Sequence, residues 1–134
     1  MAKISQEIRD FVAGKLAWVA TANSSGLPNL APKGTLEIVD DETIVFADLF
    51  SLKSRTNLTV NPHIAVAVVE SSPPNGYQFK GQAEMIDYGP DYEALVKKLS
   101  EAAPGLPKPA YLVRMKVTEI YNLAPGPLAG RKIA

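Results

Sequence analysis

The segment 48–57 collects the side chains with the clearest chemical potential in this sequence. Ser51, Lys53, Ser54 and Arg55 bring hydroxyls and cations together just after a predicted strand, where the periodicity indicates that a helix begins. Free backbone N–H groups and the helix dipole favour an anion at such a position, whereas Lys and Arg gain nothing from it. An external phosphate would supply the missing negative charge. Taken alone, the segment also fits an ordinary solvated helix start.

A second unusual step is Ala31-Pro32-Lys33-Gly34, which lies between two predicted strands. Proline removes an N–H donor and glycine permits close approach of another group, so we expect Lys33 to project from the rim of a β-structure. A bulged corner with a surface lysine is the alternative interpretation.

Standard catalytic and nucleotide-binding signatures are absent from the chain. It has no G-x-x-x-x-G-K-[ST], G-x-G-x-x-G, H-E-x-x-H or G-x-S-x-G motif. With no cysteine and one histidine, it excludes thiolate zinc sites, cysteine nucleophiles and multi-histidine metal sites. That histidine, His63, follows Asn-Pro at a predicted strand entry, which is typical of a junction residue rather than of a general base.

The elements that must position these residues are mostly short strands. Alternating and β-branched segments predict about six strands, and hairpin signals between them favour an antiparallel barrel over a parallel sheet. The strand segments are 16–22, a second that carries Pro28 and Pro32, a hairpin over 35–47, then 63–69, 77–86 and 111–121.

Three amphipathic segments predict peripheral helices near the start, over 49–59 and from Pro90. Asn61-Pro62 ends the second helix, because the residue before proline avoids the α region. Gly81 interrupts its strand and predicts a bulge or a close backbone approach. We expect a loop over 71–76 and little regular structure after residue 121.

Length and charge restrict the class of protein. The 134 residues predict one domain spanning 1–134, and 14 Lys+Arg against 14 Asp+Glu argue against a surface that binds nucleic acid or anionic membrane as a whole. The polar start of the chain predicts no signal peptide, no apolar run is long enough to cross a bilayer, and the default location is therefore the cytoplasm.

Several short motifs occur in a familiar order along the chain. They are Leu16-Ala-Trp-Val-Ala-Thr-Ala22, Gly26-Leu-Pro-Asn-Leu-Ala-Pro-Lys-Gly34, Phe46-Ala-Asp48, Ser51-Leu-Lys53-Ser-Arg-Thr-Asn-Leu58, Asn61-Pro62-His-Ile-Ala-Val-Ala67 and Tyr77-Gln-Phe-Lys-Gly-Gln-Ala83. In this order and spacing, from residue 8 to about 121, the chain resembles the pyridoxamine 5′-phosphate oxidase-like FMN-binding split barrels, in particular their short single-domain members. The basic tail pair Arg131-Lys132 does not align with the substrate-binding end of the longer enzymes, so the resemblance does not extend to the vitamin B6 reaction.

The resemblance implies a mainly β fold, a six-stranded antiparallel Greek-key split barrel with peripheral helices. It also implies a homodimer that holds FMN at its interface. Lys53 would contact the phosphate with Ser51 and Ser54 as hydroxyl donors, and Lys33 with its neighbours would border the ring or the phosphate. The full set of residues implied in cofactor binding is Pro32, Lys33, Gly34, Thr35, Ala47, Asp48, Ser51, Leu52, Lys53, Ser54, Asn57 and Gln78, with Trp18 a weaker candidate.

Three functions remain open at this point. The first is a small FMN flavoprotein with an oxidoreductase or electron-transfer role, in which the cofactor carries the redox chemistry; its catalytic residues, and whether it is an enzyme, stay open. The second keeps the fold but binds the deazaflavin F420 or haem, for which His63 would be the axial ligand. The third is an OB-like module for single-stranded nucleic acid, which the few aromatic residues disfavour.

Overall fold

One seven-stranded antiparallel sheet and three helices make up the computed structural model, which describes residues 2–134. Met1, which the prediction about the start of the chain includes, lies outside the described residues. The strands are β1 (Ala17–Ala22), β2 (Pro28–Lys33), β3 (Glu37–Ile38), β4 (Thr43–Asp48), β5 (His63–Ser71), β6 (Pro74–Ile86) and β7 (Tyr111–Asn122). The helices are α1 (Gln6–Val12), α2 (Lys53–Val60) and α3 (Pro90–Ala102).

The sheet runs in the order β2-β1-β5-β6-β7-β4-β3 and curls into a half-barrel. The chain crosses from β2 at one edge to β3 at the other, and from β4 back to β5 in the middle. The predicted mainly β, antiparallel architecture with peripheral helices is therefore confirmed. The prediction of six strands is wrong by one, because a two-residue strand, β3, pairs with β4 at the sheet edge.

The core lies on the concave side of the sheet, where alternate residues of each strand point. On β1 the inward residues are Ala17 and Val19, and on β5 they are Ile64, Val66 and Val68, all buried. This period of two is the one that the sequence alternation predicts. Helix α1 closes the core with Ile8 and Val12, and the Ser5 hydroxyl caps its start by accepting from the Ile8 N–H at 3.3 Å.

Two local predictions are confirmed in detail. Helix α2 ends at Val60, and Asn61 follows in an extended conformation before Pro62. The register of β6 against β7 shifts between Lys80 and Gly81. A Cβ atom at Gly81 would lie 1.9 Å from the Lys116 carbonyl oxygen, so the two backbones can approach this closely only at a glycine.

One loop prediction is wrong: the segment 71–76 is largely strand, since β5 ends at Ser71 and β6 begins at Pro74. The prediction of little regular structure in the tail is confirmed, since residues 123–134 form turns and bends with one isolated bridge, between Tyr121 and Lys132. This irregular tail folds back along β7: the Asn122 N–H donates to the Arg131 carbonyl at 2.9 Å and the Ile133 N–H to the Ile120 carbonyl at 2.7 Å. Because β4 pairs with β7 only as far as Lys116, the tail provides partners for backbone groups that β4 leaves free. Among residues 2–134, no helix is both long and apolar enough to cross a membrane.

Candidate functional site

A cleft of about 460 Å³ lies between the end of β2 and the start of α2. Of the twelve residues implied in cofactor binding, nine line it: Pro32, Lys33, Gly34, Thr35, Ala47, Ser51, Leu52, Lys53 and Ser54. The three that do not line it are Asp48, Asn57 and Gln78. The fold therefore brings together the two unusual segments of the sequence, although the role of each residue toward a cofactor stays a prediction.

Lys33 enters the cleft from the last position of β2, with its side chain on the inner face of the sheet. Only 9% of Lys33 is exposed, and its Nζ donates to the Ser51 hydroxyl. Burial lowers the pKa of Lys33 below that of a free lysine; the Asp48 carboxylate opposes this effect and the Arg55 guanidinium adds to it. Lys33 thus provides a largely desolvated cation whose hydrogen-bond partner is a neutral hydroxyl.

Helix α2 begins at the opposite wall of the cleft without a cap. Its N-cap position, Leu52, provides no side-chain hydrogen bond, and its first turn contains Lys53 but no acidic residue. The first backbone bond of the helix runs from the Thr56 N–H to the Leu52 carbonyl at 3.2 Å, which leaves the preceding N–H groups without helical acceptors. The start of α2 thus combines the positive end of a helix dipole with a lysine, as an anion site requires.

Arg55 differs from these two lysines because it is paired. Its Nε donates to Asp48 Oδ2 at 2.7 Å and its Nη2 to Asp48 Oδ1 at 3.2 Å. Asp48 is 1% exposed, and this pairing raises the pKa of Arg55. By contrast, no carboxylate within residues 2–134 lies within 4 Å of the Lys33 or Lys53 Nζ. Two cations without an ion-pair partner, Lys33 and Lys53, therefore line the cleft, whereas the neutralised Arg55 does not line it.

The Asp48 carboxylate also organises the loop that follows β4. Its Oδ1 accepts from the Ser51 N–H at 3.2 Å, and its own backbone carbonyl accepts from the Ala110 N–H at 2.9 Å. The resemblance implies that backbone groups of Ala47 and Asp48 face the cofactor. In the structure the Ala47 N–H donates to the Thr35 hydroxyl at 2.9 Å, so a ligand would compete with Thr35 for it.

Two of the predicted polar residues of α2 point toward the sheet. Asn57 is buried, and its Nδ2 donates to the Thr21 hydroxyl at 3.0 Å. Ser54 accepts from Asn29 Nδ2 at 3.4 Å. These bonds hold α2 against β1 and β2 and so direct its N-terminus into the cleft. Thr21 and Asn29 were not among the predicted site residues, because only their place on the inward face of β1 and β2 identifies them as partners of a distant helix.

Large apolar side chains surround the cationic centre. Phe50 and Leu52, on either side of Ser51, are 74% and 77% exposed, and Leu30 of β2 also lines the cleft. Phe50 and Leu30 were not among the predicted site residues. The apolar-Ser-apolar sequence at a turn was the available signal, since neighbouring exposed apolar side chains can form a patch that marks a binding site.

Gln78 and Trp18 lie on the outer face of the sheet, in one cross-strand row with Pro32 and Ala67. Neither lines the cleft of its own chain. Around this row the outer face of β2, β1 and β5 is apolar. We define this outer patch as Trp18, Ala20, Leu30, Pro32, Ala65 and Ala67.

His63 is exposed at the start of β5, where it pairs across the ladder with Gln82 and borders a separate groove. It does not line the cationic cleft. Within the part of the chain that the structure describes, no group of three or more His, Cys, Asp or Glu side chains is arranged to hold a metal ion.

Solved structures with low sequence identity share this fold. An FMN-binding protein from Syntrophomonas wolfei is similar with a TM-score of 0.75 at 16% identity, covering 90% of this chain and 84% of that one. HutZ, described as the haem storage protein of Vibrio cholerae, has a TM-score of 0.66 at 17% identity over 89% and 94% of the two chains. An F420 reductase has a TM-score of 0.64 at 19% identity over 82% and 91%.

Two relatives are closer in sequence. HupZ from Group A Streptococcus is 33% identical with a TM-score of 0.83, covering 95% of this chain and 99% of that one. The uncharacterized protein MJ0282 of Methanocaldococcus jannaschii is 33% identical over 98% of this chain and 89% of its own length. The family profile described as pyridoxamine 5′-phosphate oxidase matches residues 4–124. With nearly the whole fold inside that match, the chain belongs to the pyridoxamine 5′-phosphate oxidase family.

Proposed function

We propose that this chain is a small FMN-binding flavoprotein, one domain over residues 1–134, with an oxidoreductase or electron-transfer role. The observation that carries the proposal is the pair of uncompensated cations, Lys33 and Lys53, at the uncapped start of α2. Lys33 is buried and Lys53 is exposed. A buried cation such as Lys33 is unfavourable without a counter-ion in the free protein, and a bound phosphate would relieve that cost.

The donor set fits both parts of FMN. Lys53, the free N–H groups of α2 and the hydroxyls of Ser51 and Ser54 can bind a dianionic phosphate. A flavin ring needs a flat, mostly apolar slot with few polar anchors, and Leu30, Pro32 and Phe50 provide apolar walls. When bound, FMN would supply redox chemistry to a chain that has no cysteine.

In this proposal the chain's own residues bind and orient the cofactor and exclude water from it. Lys53 and the start of α2 hold the phosphate end, and the Asp48–Ser51 bond keeps the loop beside it in place. Phe50 and Leu52, which line the cleft and are exposed, would pack against the bound cofactor. The proposal assigns no proton transfer to the protein.

A homodimer is the second part of the proposal. On β2 the apolar residues Leu30 and Pro32 face outward while Asn29 and Lys33 face inward, the reverse of what a monomer favours. A second copy packed on the outer patch would bury those residues together with Trp18. Because Pro32 and Leu30 belong both to the patch and to the cleft, the partner chain would then lie next to the cofactor.

F420 is an alternative ligand, favoured by the structural similarity to an F420 reductase. It would use the same cations for its phosphate. Haem is favoured by the similarity to HutZ, but His63 lies in a different groove from the cationic cleft. Replacing His63 with alanine should therefore leave FMN binding intact, and loss of a bound chromophore in H63A would favour haem instead.

The absorption spectrum of the freshly purified protein tests the proposal first. A yellow protein with flavin bands, or a colourless one that quenches FMN fluorescence on titration, supports it.

Lys53→Ala should weaken FMN binding about tenfold or more, because a hydrogen bond to a charged group contributes about 1.5–3 kcal/mol. Lys97→Ala, on the exposed side of α3, is the matched control and should leave the affinity unchanged. A protein that takes up no FMN would contradict the proposal. Tighter binding of F420 than of FMN would show that F420 is the ligand instead.

The dimer is tested by size-exclusion chromatography with light scattering. Trp18→Arg places a charge in the outer patch and should produce monomers with weakened FMN binding. Val39→Arg, which changes an exposed apolar residue away from that patch, should remain dimeric. A wild-type monomer that carries a full complement of FMN would contradict a cofactor site at the interface.

A further inference from the structure

Helix α2 is held against the sheet mainly by polar contacts. Its buried residues are Ser54, Asn57 and Leu58, while Leu52 at its N-cap and Val60 at its last position are exposed. A helix that packs on a core usually buries a continuous apolar stripe, and α2 does not have one. Since one buried leucine leaves a helix free to rotate about its axis, the direction of α2 depends on the partners of Ser54 and Asn57.

Those partners lie on two adjacent strands. Asn57 Nδ2 donates to the Thr21 hydroxyl at 3.0 Å, and the Ser54 hydroxyl accepts from Asn29 Nδ2 at 3.4 Å. Thr21 of β1 and Asn29 of β2 are directly paired across the ladder, where strands lie about 4.8 Å apart. Ser54 and Asn57 are separated by about 4.5 Å along the helix axis. The two spacings match when α2 runs across the strands with its N-terminal end over β2, which lines the cleft.

The Thr21–Asn57 contact is buried at both ends, with 3% of Thr21 and 6% of Asn57 exposed. An apolar pair of the same shape would fill this space without any desolvation of polar groups. What the polar pair adds is direction, because its donor and acceptor meet at only one rotation and one axial position of the helix. The contact therefore selects one orientation of α2 rather than simply attaching it.

We propose that Thr21 is a positioning residue, which acts through Asn57 to aim the free N–H groups at the start of α2 at the anion in the cleft. Thr21 itself does not line the cleft. The inference rests on the proposed function for the identity of that anion, the phosphate of FMN. Inorganic phosphate provides a second probe that does not depend on the flavin.

The second contact orients a hydroxyl toward the same anion. A serine hydroxyl has one proton to donate and two lone pairs that accept. Because Ser54 accepts from Asn29, its proton remains available for a ligand, and Ser54 lines the cleft. Thr21 and Asn29 thus prepare backbone and side-chain donors of α2 from two neighbouring positions of the sheet.

The test replaces both polar groups of the buried contact by apolar groups of nearly the same shape, in the double variant Thr21→Val with Asn57→Leu. Its urea midpoint should equal or exceed that of the wild type, because neither partner of the contact is left unpaired. Its affinity for FMN should fall about tenfold, the loss expected when one charge-assisted hydrogen bond to the phosphate is misaligned. Thr21→Ser, which keeps the hydroxyl, should bind FMN as the wild type does.

Riboflavin separates positioning from general damage, because it lacks the phosphate. The double variant should bind riboflavin as the wild type does, whereas a merely structural contact would lower the stability and both affinities together. Tyr92→Phe is the matched control. It removes a buried hydrogen bond, from the Tyr92 hydroxyl to the Pro109 carbonyl at 2.6 Å, that holds α3 rather than α2. This change should lower the urea midpoint and leave the FMN affinity unchanged.

Inorganic phosphate is titrated into the ligand-free full chain while NMR records the backbone N–H resonances of Lys53, Ser54 and Arg55. In the double variant these resonances should shift at about tenfold higher phosphate concentration than in the wild type. Should that variant fail to fold, Thr21→Val alone removes the acceptor hydroxyl and gives the same comparison.

The outcomes distinguish this inference from the proposed function. A wild-type protein that binds phosphate at α2 but no FMN contradicts the proposed function and leaves the role of Thr21 standing. The inference is overturned if the double variant binds FMN and phosphate as tightly as the wild type, or if it loses riboflavin together with FMN. A wild-type protein that binds neither FMN nor phosphate overturns both.

Discussion

Basic residues have carboxylate partners in one region of this protein and lack them in another. On the outer side of β7, Arg114 contacts Asp91 and Glu84, and Lys116 lies 2.7 Å from Glu42. In the cleft, Lys33 and Lys53 have no carboxylate partner within the described residues. Exposed pairs of the first kind contribute little to stability. The unpaired cations of the cleft are the feature on which the proposed FMN site depends.

The two regions also differ in how deeply the acid of each ion pair is buried. In the Asp48–Arg55 pair the carboxylate side chain is 2% and the arginine 39% exposed, whereas in the Glu42–Lys116 pair the values are 26% and 48%. Removing one partner from a buried pair leaves a desolvated charge behind, and removing one from an exposed pair does not. The following variants test this contrast, from the largest expected effect to the smallest.

Arg55→Ala should reduce the free energy of unfolding by about 3 kcal/mol, because it leaves the Asp48 carboxylate buried and unpaired. Lys116→Ala removes the cation of the exposed pair and should leave stability within experimental error. Urea denaturation of both ligand-free proteins at pH 8 measures the difference. Equal effects of the two changes would mean that the Asp48–Arg55 pair is hydrated like a surface pair.

Lys33→Met should weaken FMN binding about tenfold, equivalent to about 1.4 kcal/mol, by removing one charge-assisted contact. Lys116→Met, the same change in the paired region, should leave the affinity unchanged. Fluorescence titration with FMN measures both, and riboflavin, which lacks the phosphate, shows whether Lys33 acts on the phosphate or on the ring. An unchanged FMN affinity in K33M would place Lys33 outside the binding site.

The smallest expected effect has the opposite sign. In the ligand-free protein Lys33→Met should raise the free energy of unfolding by about 1 kcal/mol at pH 7, because it removes a buried cation that lacks a counter-ion. The pKa of Lys33 is lowered in the folded state, so the unfolded chain binds more protons above that pKa, and wild-type stability rises with pH there. The advantage of K33M should therefore shrink as pH rises from the folded pKa of Lys33 toward 10.5. A constant difference across that window would contradict the depressed pKa.

Much of the fold and part of the site could be predicted from local patterns. Helix α2 ends at Asn61-Pro62 and the ladder shifts at Gly81, as predicted, because proline and glycine act through the conformations of their own backbone. The course of the tail after β7 could not be predicted. Its pairing depends on where β4 stops covering β7, which no pattern within the tail records.

The sequence predicted which kinds of residue belong to the candidate site but not how they are arranged in space. Ser51 and Lys53 line the cleft as a helix start suggests, whereas Asn57 faces Thr21 and Gln78 lies on the outer face of the sheet. A polar residue in a helix or strand is compatible with either face. The face is selected by the whole packing of the core, since a single side chain contributes too little to decide it.

The sequence by itself determined the antiparallel strands, the position of α2, and the concentration of hydroxyls and cations at its start. These follow from periodicity and from backbone preferences that operate over a few residues. Only the tertiary structure decided that Lys33 meets Ser51 across the cleft, that Asp48 forms its ion pair with Arg55 rather than with a lysine, and that β2 faces its polar residues inward. Charge compensation depends on distances between strands and helices far apart in the chain, and those distances exist only once the sheet has curled.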